Sequence, residues 1–334
     1  MKKLFLLMFL LIISFINIFS QNRLYSLEEL MKMKVYTSFS EAIADPENVV
    51  VLNVDGGFNS VLPAGFEKIK NLQWVRIADA ELYSIPDYFW QNTNIQYLDL
   101  SGNRLKKFPA QIQNLPNLKS LKYAFNGLRA IPDFIWTIPK LEILDLSENS
   151  LTNFKIGTQN QTKLREINFS SNSIIEIPEI ILNMKGLEII DMGMNEITSI
   201  PDSLIKLTNL RKLILNHNKL TSLPKDFGAF PYLTHLGISH NKIRHLPVSI
   251  ANLTNLEIFE ANNNNIVEIP EDLFKLKKLS KVTLNNNYLS KYSESFKNWS
   301  NLKEFNIKNN DFDKATIEKI KGNIPVTEAD RKNK

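Results

Sequence analysis

The residues best placed to do chemistry are three histidines: His217, His235 and His240. His217 and His240 are 23 residues apart. If that interval is one structural period, their side chains stand on neighbouring strands, roughly 5 Å apart, with His235 on the same face. A histidine trio can hold a metal ion or sense pH near neutrality. Their spacing nevertheless matches no zinc-binding or catalytic motif. The plainer reading is a set of exposed polar side chains on a variable face, so neither a metal nor any other cofactor is expected. The chain has no cysteine, which rules out thiol catalysis, thiolate metal sites and haem attachment through cysteine. It has no phosphate-cradling glycine loop, and its carboxylates are scattered rather than paired in isolation. Chemistry is therefore not the expected task.

What these side chains could do depends on the element that carries them, and the chain announces that element by repetition. Asparagine recurs at Asn103, Asn126, Asn149, Asn172, Asn195, Asn218, Asn241, Asn264, Asn287 and Asn310, always 23 residues apart. Two earlier units keep the frame with Gly57 and Ala80 in the asparagine slot, which makes twelve units. One unit runs Leu210, Leu213, Leu215, Asn218, Leu220, Leu223, Pro224. The next repeats it with Leu233, Leu236, Ile238, Asn241, Ile243, Leu246, Pro247. The apolar positions 213 and 215 alternate with 212 and 214, the period of a strand with one buried face. A single unit cannot bury its leucines alone, so stacking of neighbours is obligatory. The asparagine falls where the backbone leaves the strand. An amide offers donors and an acceptor, so an inward column of asparagines is read as structural, pairing turn groups that burial would otherwise orphan.

This pattern resembles the leucine-rich-repeat family in its 23-residue form, LxxLxLxxNxLxxLPxxIxxLxxL, over residues 49–312. The resemblance implies an α/β solenoid: a leucine-rich-repeat horseshoe with a parallel sheet on the concave side and short helices or turns on the convex side. It says little about function, because this scaffold serves many unrelated partners. Proline shares one slot in most units (Pro63, Pro86, Pro109, Pro132, Pro178, Pro201, Pro224, Pro247 and Pro270). Its missing N–H suits the first position of a short helix or turn. Apolar pairs such as Leu204 with Leu207 and Ile250 with Leu253 then allow one or two helical turns. One unit departs, with Lys155 in the proline slot and Thr158 and Gln161 replacing the apolar pair. The stretch Lys155 to Lys163 is expected to pack poorly, either as drift at a tolerant site or as a hinge or lateral contact.

The ends read differently. Residues 1–20 combine Lys2 and Lys3 with an apolar run from Leu4 and a small Ser20, the form of a secretory signal peptide. The alternative is a membrane anchor, but the run is short for a span of about 20 residues and Asn17 interrupts it. No cysteine follows it for lipid attachment. Residues 21–48 read as an N-terminal helical cap, with Ser26/Glu29 and Ser38/Glu41 at capping-box spacing. The repeat array covers 49–311, its first strand expected over Val49 to Val54. Residues 312–334 read as a C-terminal cap, in which Asp313 opens a helix running to Lys321 and Gly322 ends it. Little chain remains for a catalytic or anchoring domain.

The net charge of +5 falls to +3 without Lys2 and Lys3, too near neutral to point to nucleic acid. The Lys-, Asn- and Ile-rich composition looks bacterial, so the sequons at Asn160, Asn168, Asn252 and Asn298 are expected to be unused. Extracellular animal and plant members of the family usually carry cysteine-bonded caps, absent here. The ubiquitin-ligase domain fused to some bacterial members needs a catalytic cysteine, also absent. The expected product is exported, in the periplasm, on the cell surface or secreted, with no membrane insertion after signal cleavage.

Partner recognition falls on the non-consensus strand positions, which the repeat leaves free to vary. The column Arg76, Asp99, Lys122, Asp145 alternates in sign and is expected to pair within itself. Exposed apolar side chains are more telling. An N-terminal patch of Trp74, Tyr97 and Phe125 is expected to bind a partner. The alternative centre is a second set comprising Ile143, Ile189, Met194, Ile214, His217, His235 and His240. A protein is the expected partner. A glycan stacked on Trp74 and Tyr97 is the alternative.

Overall fold

The computed structural model describes residues 23–57, 60–152, 163–299, 302–324 and 327–328. The signal segment 1–20 and the irregular stretch Lys155 to Lys163, apart from its last residue, lie outside the described residues. The chain divides into two compact units. The first comprises the residues up to Asn126 with Thr137–Leu141, and the second comprises Gly127–Trp136 with the residues from Glu142 onward.

In the first unit the chain opens with helix α1 (Leu27–Leu30), strand β1 (Val35–Tyr36), helix α2 (Phe39–Ala44) and a 3₁₀ turn at Pro46–Asn48. Ser26 caps α1 as a reciprocal box: its hydroxyl accepts from the Glu29 N–H, and the Glu29 carboxylate accepts from the Ser26 N–H at 2.8 Å. Ser38 likewise accepts from the Glu41 N–H, but the Glu41 carboxylate reaches one residue further, to the Thr37 N–H. These helices are short, and a strand lies between them, where the sequence suggested helix alone. β1 pairs in parallel with β2 (Val51–Asp55), which starts two residues later than expected. β2 pairs with β3 (Trp74–Ala78), β3 with β4 (Tyr97–Asp99) and β4 with β5 (Ser120–Lys122).

The second unit continues in the same manner with β6 (Ile143–Asp145), β7 (Glu166–Asn168), β8 (Ile189–Asp191), β9 (Lys212–Ile214) and β10 (His235–Gly237). It goes on through β11 (Ile258–Glu260), β12 (Lys281–Thr283), β13 (Glu304–Asn306) and a two-residue β14 (Thr327–Glu328). Each strand pairs in parallel with the next in chain order. The register is that of the repeat: Ile190 faces Leu213, and Leu213 faces Leu236. The central residue of each three-residue strand is buried. The residues on either side of it point away from the core and make the strand face.

The opposite side is built from 3₁₀ turns such as Asp202–Lys206 and Val248–Asn252. Proline stands one residue earlier than its expected place. Pro86, Pro109, Pro178, Pro201, Pro247 and Pro270 are caps outside the turn, the first five with extended backbone. Their carbonyls accept the first bond, as in Leu204 N–H to Pro201 at 3.0 Å. Proline fits because it has no N–H to leave unpaired and its φ is already set. At the far end helix α3 (Lys314–Asn323) starts on Asp313, whose carboxylate accepts from the Thr316 N–H at 2.7 Å. It continues past Lys321, with Gly322 inside it rather than ending it. Ile317 and Ile320 are its buried residues.

Candidate functional site

The asparagine column sets the frame for the strand face. The Asn195 amide donates to the carbonyls of Phe169, Met192 and Gly193 at 2.9, 3.1 and 3.0 Å, and its oxygen accepts from the Ile174 N–H at 2.9 Å. One side chain thus closes its own turn and ties it to the preceding unit. Asn218, Asn241, Asn264 and Asn287 repeat the arrangement. A second polar column escaped the sequence reading. In the C-terminal units Asn216 accepts from the Ser239 N–H, Ser239 from that of Asn262, Asn262 from that of Asn285, and Asn285 from that of Lys308. The 23-residue recurrence of Asn216, Ser239, Asn262 and Asn285 was the available signal.

The residue just before each framework asparagine has positive φ: Phe125 (51°), Met194 (54°), His217 (56°), His240 (56°) and Asn263 (53°) among others. The left-handed turn lets the strand ladder run on, with Met194 N–H donating to Asn216 at 2.8 Å and His217 N–H to Ser239 at 2.8 Å. Glycine and asparagine adopt this conformation readily. Other residues pay roughly 1–2 kcal/mol. The C-terminal units use the less strained Asn263, Asn286 and Asn309. Phe125 and Met194 are strained there and also solvent-exposed, at 62% and 53%.

Of the residues expected to bind, the structure brings Trp74 and Tyr97 together on β3 and β4, with ring centroids 5.5 Å apart and planes tilted by 45°. Both are half-buried, while Phe125 stands beyond the strand, in the turn row. In the second unit Ile143 and Ile189 are half-exposed. Ile214 must be withdrawn from the exposed set, because only 9% of it is accessible. It lies against two glycines: a Cβ on Gly237 would come within 3.0 Å of Ile214, and one on Gly193 within 3.7 Å. The branched side chain fills the space those missing side chains leave.

The histidines do not form a trio. His217 and His240 stack in the turn row, centroids 3.9 Å apart and planes within 11°. The Asn263 amide lies 3.1 Å from Nε2 of His240, which accepts from it when neutral. Burial, and then the neighbouring His217, push the His240 pKa down. His235 sits in the strand row and engages Glu260 at 3.4 Å. Lys281 reaches the same carboxylate at 2.9 Å and Glu304 at 3.6 Å. The His235 hydrogen bond above all, helped by Lys281, holds the Glu260 carboxyl at about 2. Among the described residues no group of three or more His, Asp or Glu side chains is placed to hold a metal ion.

The alternating column is only partly a ladder. Arg76 bridges Asp55 at 3.2 Å and Asp99 at 3.7 Å. Asp145 turns back on its own chain, accepting from the Ser147 N–H and hydroxyl at 3.0 and 2.7 Å.

Descriptions of the leucine rich repeat match residues 162–220, 208–266 and 94–115, and a BspA-type leucine rich repeat region matches 249–323. The chain belongs to the leucine-rich-repeat family. No curated protein sequence matches it. Among solved structures it is similar to a leucine-rich-repeat protein of Leptospira interrogans, with TM-score 0.64 and 22% identity, over 89% of this chain and 100% of that one. It is also similar to an internalin of Listeria monocytogenes, with TM-score 0.67 and 22% identity, over 92% and 93% of the two chains. The plant peptide hormone receptor RGFR1, solved in complex with RGF2, aligns at TM-score 0.62 and 26% identity. That alignment covers 83% of this chain and about half (52%) of the receptor. Among the described residues no helix is long and apolar enough to cross a membrane.

Proposed function

We propose that this leucine-rich-repeat chain is a non-catalytic binding scaffold of the bacterial envelope or extracellular space that takes a protein partner on its strand face. The observation that carries the reading is the turn row. Phe125 and Met194 are large, exposed and left-handed where asparagine or glycine would be less strained. Stability alone disfavours both residues on both counts, and strain of this kind concentrates at functional sites. Trp74 and Tyr97 add aromatic anchors, a residue class enriched among binding hot spots. RGFR1, which shares the fold, was solved with RGF2 bound. Export rests on the segment 1–20 and its signal-peptide form. A glycan is the less favoured occupant, since rings tilted by 45° offer no single flat platform for a sugar.

The experiment is a comparative capture with three baits of equal melting temperature: the mature protein, W74A/Y97A/M194A, and E179A/K206A on the turn side. A partner protein retained by the first and third baits and lost by the second supports the reading. Loss with the turn-side bait alone overturns it, and retention on a glycan array without protein capture moves the assignment to carbohydrate.

A further inference from the structure

The strand face of the second unit is not uniform in charge compensation. Toward its C-terminal end, Glu260 and Glu304 have Lys281 within 4 Å, and Glu260 has His235 as well. Across β6, β7 and β8 the face carries Asp145, Glu166 and Asp191, and within this unit no cation among the described residues lies at ion-pair distance from any of the three. Lys212, on β9, is the nearest strand-face cation in the register and acts on Asp191 only at longer range. These carboxylates alternate with apolar groups. Ile143, Glu166 and Ile189 form one row in register, and Asp145, Asn168 and Asp191 the next. Burial, and further down the order the like charge of Asp145, raise the carboxyl of Asp191 above its ordinary range. A face holding half-buried carboxylates beside half-exposed isoleucines is under-satisfied both in charge and in apolar contact.

Building on the strand-face reading above, we infer that the β6–β8 face is the docking surface for an extended basic peptide segment of the partner, with cationic side chains on Asp145, Glu166 and Asp191 and apolar ones on Ile143 and Ile189. Charge complementarity selects this occupant: an acidic or neutral segment would leave the carboxylates desolvated and unpaired, which is strongly unfavourable. Geometry sets the spacing. Asp145 and Asp191 are two strands apart, about 10 Å, and a polyproline-II-like extended chain, with three residues per turn, advances about 9 Å in three residues and brings the third side chain back to the same face. The segment therefore places basic residues three apart with apolar residues between them.

The test uses a fluorescent nine-residue probe with lysines three residues apart and leucines between, and a second probe with glutamate for lysine. Both are titrated by anisotropy against the full mature chain. The control variant is D145N/E166Q/D191N. It preserves the fold, because Asn168 already makes the same turn contact, accepting from Ser170, that Asp145 makes with Ser147. The lysine probe should bind at least about tenfold more tightly than the glutamate probe, weaken with salt, and lose about tenfold in the triple variant. The turn-side variant E179Q/D202N should bind it normally. Equal binding of the two probes, or no loss in the triple variant, overturns the proposal. So does equal loss in E179Q/D202N, which would mark attraction to any acidic surface. If the lysine probe ignores the triple variant but is lost in W74A/Y97A, the strand-face reading stands and the β6–β8 site falls. If no strand-face variant changes its binding, both fall.

Discussion

Asp191 and Glu260 occupy the same strand position three repeats apart, on β8 and β11, and their surroundings move their carboxyls in opposite directions. Glu260 is flanked by His235 and Lys281 and is held at about 2. Asp191 is more deeply desolvated, with no cation at ion-pair distance among the described residues of its unit, and is raised. The backbone frame is the same at both places: parallel strands, a framework asparagine and a left-handed residue before it. The difference therefore comes from the variable side chains alone. Where the face satisfies itself it behaves as structure. Where it does not, we propose that a partner completes it.

Four outcomes test that comparison. The largest effect should come from the shared frame. Asn195→Leu orphans the Ile174 N–H and takes one of two donors from each of the Phe169, Met192 and Gly193 carbonyls. At about 1–3 kcal/mol for an orphaned group, the loss should lie at the upper end of that range, about 2–3 kcal/mol. Urea denaturation measures it, and an unchanged midpoint would mean the column is dispensable. Next, Glu260→Gln should cost on the order of 1–2 kcal/mol at neutral pH. A depressed folded carboxyl stabilises above the unfolded value near 4.5, and that contribution fades as pH falls from there towards 2. Melting curves from pH 7 to pH 2.5 should therefore show the variant converging on the parent. Asp191→Asn should do the reverse and raise stability at pH 7 by less than about 1 kcal/mol. A raised folded carboxyl disfavours folding while it is ionised, so this advantage should shrink as acid protonates the parent. A clear destabilisation would mean that Asp191 is satisfied after all. Smallest of all, His217→Ala should leave the melting temperature almost unchanged, and added zinc should not alter it in parent or variant. A zinc-dependent rise lost in His217→Ala would restore a metal role to the histidine pair.

The frame was legible in the sequence because it is periodic. Asparagine every 23 residues, paired leucines and the proline slot fix strand, turn and register without reference to distant contacts. What stayed hidden depends on neighbours one repeat away. Ile214 looked like an exposed apolar residue because the rule for the strand face ignores that Gly193 and Gly237 leave room for it to lie down. His235 looked like a partner for His217 and His240 because face alone does not separate the strand row from the turn row. The left-handed column was visible only as a tolerance for Gly102, Asn263, Asn286 and Asn309 at one slot. Phe125 and Met194 in that slot obscured it, and they are the residues that now carry the functional reading.

The most direct measurement of strand-face binding is site-specific photo-crosslinking with the captured partner. A benzophenone side chain is placed at Met194 in one protein and at Lys206, in the turn after Pro201, in another. A covalent adduct is expected from position 194 and none from position 206. An adduct from 206 with none from 194 would put the partner on the opposite side and contradict strand-face binding.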